Sequence, residues 1–154
     1  MSLPPAKVSR VKPSARNFRA KLPGPRKELA GCVWLPRILG KARHWHAGSL
    51  PADYAMVFCH PKGVDGLFLA HFGLSREHIL AAATLSEADA GAWFSSRCSP
   101  AQIAAWNLMA VNLGRPGFPM AERLPVALST TYKNVNPKGL TTVFEVLEAD
   151  EKRA

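Results

Sequence analysis

The sequence predicts an all-α fold, a compact single-domain bundle of about five to seven helices with a disordered basic N-terminal arm. Three observations lead there. Apolar residues recur at helical spacing, as in Val64, Leu67, Phe68, His71 and Phe72. Capping signals open one segment after another, and Gly or Pro closes it. No segment sustains an alternation of period two, so there is no strong case for a sheet. With 154 residues, 47% of them hydrophobic, and four Trp, the chain is long enough for one core without staples.

Residues 1–23 read as the arm and residues 24–153 as the domain. Residues 1–27 hold eight basic side chains (Lys7, Arg10, Lys12, Arg16, Arg19, Lys21, Arg26, Lys27) and no acid, whereas the rest holds twelve basic against eleven acidic. A balanced body with a basic arm differs from a uniformly basic nucleic-acid-binding domain. Pro4, Pro5, Pro13, Pro23 and Pro25 break any helix there. Val8, Val11, Phe18 and Leu22 are too sparse for a packed face. The same prolines spoil the amphipathic helix of a transit peptide.

A long helix is expected from just after Pro25 to about His46, closed by Gly48, with Pro36 kinking or splitting it. Gly31, Trp34, Leu35, Ile38, Leu39, Ala42 and Trp45 share its buried arc. Residues 61–72 form a core helix stopped by Gly73. Ser75 caps a helix over 76–84, and Ser86 opens one over 87–97. Ser99-Pro100-Ala101-Gln102 joins an N-cap, an N1 proline and a capping-box glutamine for a helix running to Leu113 and Gly114. Residues 115–119 make a loop, 120–132 are weakly helical and 134–139 turn. Thr142 and Glu145 form a second capping box for a short terminal helix through Leu147.

Cys32, Cys59 and Cys98 are odd in number and widely spaced, which suits reduced thiols and a cytoplasmic setting. No signal peptide and no membrane span is read from the sequence, and no motif asks for a cofactor. The five histidines lie between positions 44 and 78, yet His44 and His46 point about 200° apart on one helix, and no metal site is expected. His71 reads as a core histidine bonded to a backbone carbonyl.

Arg37, Lys41 and His44 fall at i, i+4 and i+7 within about 60° of arc beside the apolar face. Like charges at that spacing repel, so either internal acids or a bound anion compensates them. Asn107, between Ile103, Trp106 and Ala110, has four hydrogen-bonding positions to satisfy, by another backbone segment or by a ligand. Tyr54 has the same two readings.

These motifs resemble a family. The run PRKELAGCVWLPRILGKARHWHAG over 25–48, Tyr54, Cys59, Pro61, Asp65, LF at 67–68, FGL at 72–74, Trp93, IAAWN at 103–107 and VFEVLEADEKR at 143–153 resemble the bacterial domain-of-unknown-function family numbered 5069. The resemblance implies a small cytoplasmic domain of mostly helical character with no established activity. The family's L-x-R-x-x-D-K-x-R pattern carries over onto Leu35, Arg37, Lys41 and Arg43, with Gly40 at the aspartate position. Its Cys-Pro-Leu-Asp turn is expanded here to Cys59-His60-Pro61-Lys62-Gly63-Val64-Asp65.

The leading functional expectation is a binding module for a small anionic ligand or acidic partner, held by Arg37, Lys41, Arg43, His44, Tyr54 and Asn107. The alternatives are an enzyme using Tyr54 or His44 as acid or base with Cys59 as nucleophile, and weak, salt-sensitive polyanion contact through residues 1–27. Neither a catalytic residue nor an oligomeric state is assigned.

Overall fold

The computed structural model describes residue 18 and residues 21–152. Eight helices and one two-stranded sheet form among them: β1 (Glu28–Leu29), β2 (Cys32–Val33), α1 (Leu35–Ala47), α2 (Ala52–Val57), α3 (Val64–Phe72), α4 (Arg76–Ala82), α5 (Glu87–Arg97), α6 (Pro100–Ala110), α7 (Arg123–Ser129) and α8 (Val143–Lys152). The fold is mostly helical, as its periodicity implies.

The largest departure from expectation lies before α1. Residues 28–33 are an antiparallel hairpin, with Glu28 opposite Val33 and Leu29 opposite Cys32. Ala30 (φ 55°) and Gly31 (φ 75°) are both left-handed, as a two-residue hairpin turn requires. The Trp34 N–H then bonds the Pro25 carbonyl at 3.1 Å, and Trp34 itself is left-handed at φ 76°. The helix therefore begins at Leu35. Pro36 sits in its first turn, where a missing N–H costs nothing, and introduces no kink.

The local signals further along are found where they were read. Gly48 and Gly73 end α1 and α3 in the left-handed conformation. Ser75, Ser86 and Ser99 each accept the backbone N–H three residues on, and Gln102 returns a bond to the Ser99 N–H at 2.8 Å. Glu145 accepts from the N–H groups of Thr141 and Thr142, and α8 runs five residues beyond Leu147. In contrast, α6 stops at Ala110, because the Leu113 carbonyl receives Val143 N–H at 2.8 Å from the last helix's first residue. The short α2 was not anticipated.

One aromatic core unites these pieces. Trp106 meets Phe68 edge-on at 5.3 Å, and Phe94 lies 6.0 Å from Phe68 and 5.0 Å from Phe72. Helix α1 packs on α4, and α6 packs on β2 and α3. The turn before α3 folds directly onto that helix: a Cβ on Gly66 would lie 2.6 Å from Pro61 Cα, so no larger residue fits there.

Two residues expected in an unpacked arm are buried against the body. Phe18 (3% exposed) and Leu22 (5%) are buried, joined by a hydrogen bond from Leu22 N–H to the Phe18 carbonyl at 3.0 Å. Sparse apolar residues need no face of their own when a neighbouring helix supplies one. The segment crosses α1 at Gly40, where a Cβ would stand 3.1 Å from Pro23 Cδ. The rest of the expected arm, residues 1–17, 19 and 20, lies outside the described residues. Among those described, no helix is long and apolar enough to cross a membrane.

Candidate functional site

Two of the chemistry-bearing residues of α1, Arg37 and Lys41, meet at Trp34, and Lys41 also meets Asp65. Asp65 occupies the first turn of α3 and is 1% exposed. Its Oδ1 accepts from Trp34 Nε1 at 2.8 Å and from Lys41 Nζ at 3.1 Å; its Oδ2 accepts from Lys41 Nζ at 3.1 Å and from the Cys59 N–H at 2.9 Å. Four hydrogen bonds from three donors saturate the buried carboxylate. The backbone turns that aim them are unusual ones, with Trp34 and Cys59 (φ 59°) both left-handed without being glycine. Lys41 is 4% exposed, and its ammonium also lies 5.0 Å over the Trp34 ring. Burial pulls the Lys41 pKa down, and Asp65 opposes that pull.

Arg37 lies one turn earlier and is 2% exposed. Its Nη1 donates to the Pro23 carbonyl at 3.1 Å and to Glu151 Oε1 at 3.0 Å, while its Nη2 pairs with Glu151 Oε2. The guanidinium sits 5.2 Å over the Trp34 ring. Phe144 of α8 stacks on that ring at 5.5 Å. So Arg37 and Lys41 do not lie beside the buried face, as the arc predicted; they lie in it, each with an internal carboxylate.

The other predicted residues disperse from this pair. Arg43 points to α4, with Nε donating to the Ala83 carbonyl at 3.3 Å and a buried Nη2 that has no hydrogen-bond partner among the described residues. Beside it on the same seam His46 Nε2 meets the Leu80 carbonyl at 2.8 Å, and Arg76 stacks 4.2 Å over exposed Trp45. His44 Nδ1 and Ser49 Oγ share a 2.7 Å hydrogen bond, and the His44 and Tyr54 rings enclose Phe18. Asn107 serves the hairpin instead: Oδ1 accepts Val33 N–H at 3.0 Å and Nδ2 donates to the Gly31 carbonyl at 2.8 Å, which ties the hairpin to α6. It also lines a shallow cleft of about 370 Å³ with Ala30, Ser95, Cys98, Pro100 and Ile103. His71 Nε2 bonds the Gln102 carbonyl at 2.8 Å.

Burial, reinforced by the Asp65 charge, pushes the Cys59 thiol up to about 12, so almost no thiolate exists near neutral pH. Among the described residues, no group of three or more His, Cys, Asp or Glu side chains is placed to hold a metal ion.

Asp65, Trp34, Glu151 and Phe18 were not read as site residues. Asp65 carried a visible signal: it stands three, four and seven residues before Phe68, Leu69 and Phe72, the buried stripe of α3. An acid on an apolar stripe asks for a buried cation. Glu151 carried no such signal, because it lies on a helix with several acids, and only the packing of α8 selects it.

Residues 19–153 match a family described as a domain of unknown function, DUF5069. No curated protein matches the chain.

Proposed function

We infer that this chain, which belongs to the DUF5069 family, is a binding domain rather than a covalent catalyst, and that the group it receives is a small anion or a carboxylate of an acidic partner. The observation that carries this reading is Arg43. Arg37 and Arg43 each keep one buried N–H without an acceptor among the described residues, Nε and Nη2 respectively, but the Arg37 charge is met by Glu151 and the Lys41 charge by Asp65, whereas the Arg43 hydrogen bond goes to a neutral carbonyl. A buried guanidinium N–H left unmatched costs more than an ordinary one, so an incoming oxyanion gains by meeting it. Half-buried surroundings on the α1–α4 seam weaken screening there. Two of the residues an enzyme would use are otherwise engaged: Cys59 is held as a thiol and His44 is bonded to Ser49. In this reading Arg37, Lys41 and Asn107 hold the fold that presents Arg43.

The test is melting temperature against inorganic phosphate and malonate for wild type, Arg43→Gln and Lys62→Gln. A ligand at ten times its dissociation constant stabilises by about 1.4 kcal/mol, roughly 4–6 °C for a domain of this size. Wild type and Lys62→Gln should show that rise, and Arg43→Gln should lose it. An equal response in all three proteins rejects the reading.

A further inference from the structure

Phe18 precedes the family match, which begins at residue 19, yet it is almost wholly buried in the corner between α1 and α2. Its ring meets His44 edge to face at 4.7 Å, with an interplanar angle of 74°, and meets Tyr54 at 4.6 Å and 67°. One turn later Leu22 lies against Gly40, where a Cβ would approach Leu22 Cδ1 to 3.4 Å. Phe18 and Leu22 are therefore two apolar pegs that fasten the N-terminal segment to α1. The first peg rests on a histidine, the one side chain whose ordinary charge change falls near pH 6–7.

We propose that the docking of Phe18 is an acid-sensitive latch: the neutral His44 imidazole receives the Phe18 ring, and protonation of that imidazole releases it. The groups facing His44 favour the neutral ring. From the N-terminal segment come apolar Phe18 and cationic Lys21, and from the turn after α1 comes the Ser49 hydroxyl; Tyr54 of α2 packs on the Phe18 ring. With Phe18 in place, an imidazolium would be stripped of water beside a like charge and given no carboxylate by these neighbours. Burial and the Lys21 charge accordingly hold His44 below its ordinary value of 6.5. The sign follows from linkage. Docking favours the neutral form, so the latch is fully closed above pH 6.5 and loosens as pH falls through the docked pKa. On opening, the Phe18 ring is exposed.

Reciprocity gives a direct test. The His44 ring is titrated by NMR in the full-length wild type, Phe18→Ala and Lys21→Gln proteins. His44 should titrate below 6.5 in wild type, move toward 6.5 in Phe18→Ala, and move part of the way in Lys21→Gln. A His44 that titrates about one pH unit higher without Phe18 means that protonation weakens docking tenfold. Phe18→Leu serves the same comparison if alanine unfolds the chain. An identical titration in wild type and the Phe18 variants overturns the proposal. A higher pKa in wild type overturns it as well, since cation–π attraction would then make the imidazolium the better partner.

Discussion

Glu151 holds Arg37 with both carboxylate oxygens across 114 residues of sequence. The pair fastens the last helix to the first, and the same guanidinium holds the Pro23 carbonyl of the N-terminal segment. One side chain thus joins three parts of the chain that are remote in sequence.

Replacing Glu151 by Gln should leave the Arg37 charge buried without a counter-ion. The expected loss is about 3 kcal/mol of unfolding free energy, the usual cost of breaking a buried pair from one side. Arg37→Met combined with Glu151→Gln should cost less than Arg37→Met and Glu151→Gln summed, because the buried guanidinium is then no longer stranded. Urea denaturation of the four proteins as a double-mutant cycle measures the coupling. Strictly additive changes would show that the pair contributes nothing of its own.

Asp65 should be more sensitive still. Its carboxylate serves Trp34, Lys41 and Cys59 together, and Asp65→Asn removes the charge that balances Lys41. A loss of about 3–5 kcal/mol is expected. Adding Lys41→Met should recover part of it, whereas Lys62→Met, at an exposed lysine, should recover none. Recovery by both would mean that general charge, not this cluster, sets the cost.

Truncation should separate the two parts of the N-terminal segment. Deleting residues 1–17 leaves every contact among the described residues in place and should change stability by less than about 0.5 kcal/mol. Deleting residues 1–23 also removes Phe18, Leu22 and the Pro23 carbonyl, and should cost at least ~3 kcal/mol, the range of a buried Phe→Ala change. Equal denaturant midpoints for the two deletions would place the body's boundary at residue 24, where the proline and charge pattern puts it.

Much of the helical frame was legible because its signals are local. A serine that accepts the N–H three residues later, or a glycine that adopts a left-handed angle at a helix end, acts through bonds closed within one turn. Ser75, Ser99, Gly48 and Gly73 accordingly stand where they were read. The stripe on α3 was legible to within one position: Leu69 and Asp65 are buried, while Leu67 and His71 are half-buried. A helical arc alone does not say where its centre lies.

The hairpin and the cation partners were decided elsewhere. Residues 28–33 contain apolar side chains at spacings that also suit a helix. They become strands because Asn107 accepts the Val33 N–H and bonds the Gly31 carbonyl, and because Trp106 Nε1 donates to the Val33 carbonyl at 2.9 Å. Likewise the α1 sequence placed Arg37 and Lys41 on one side of a helix but could not say which acids would meet them. Lys41 takes its carboxylate from 24 residues away and Arg37 from 114. Hydrogen bonds closed within one turn are written in the local sequence, whereas the neutralisation of a buried charge depends on which distant surface the whole chain brings against it.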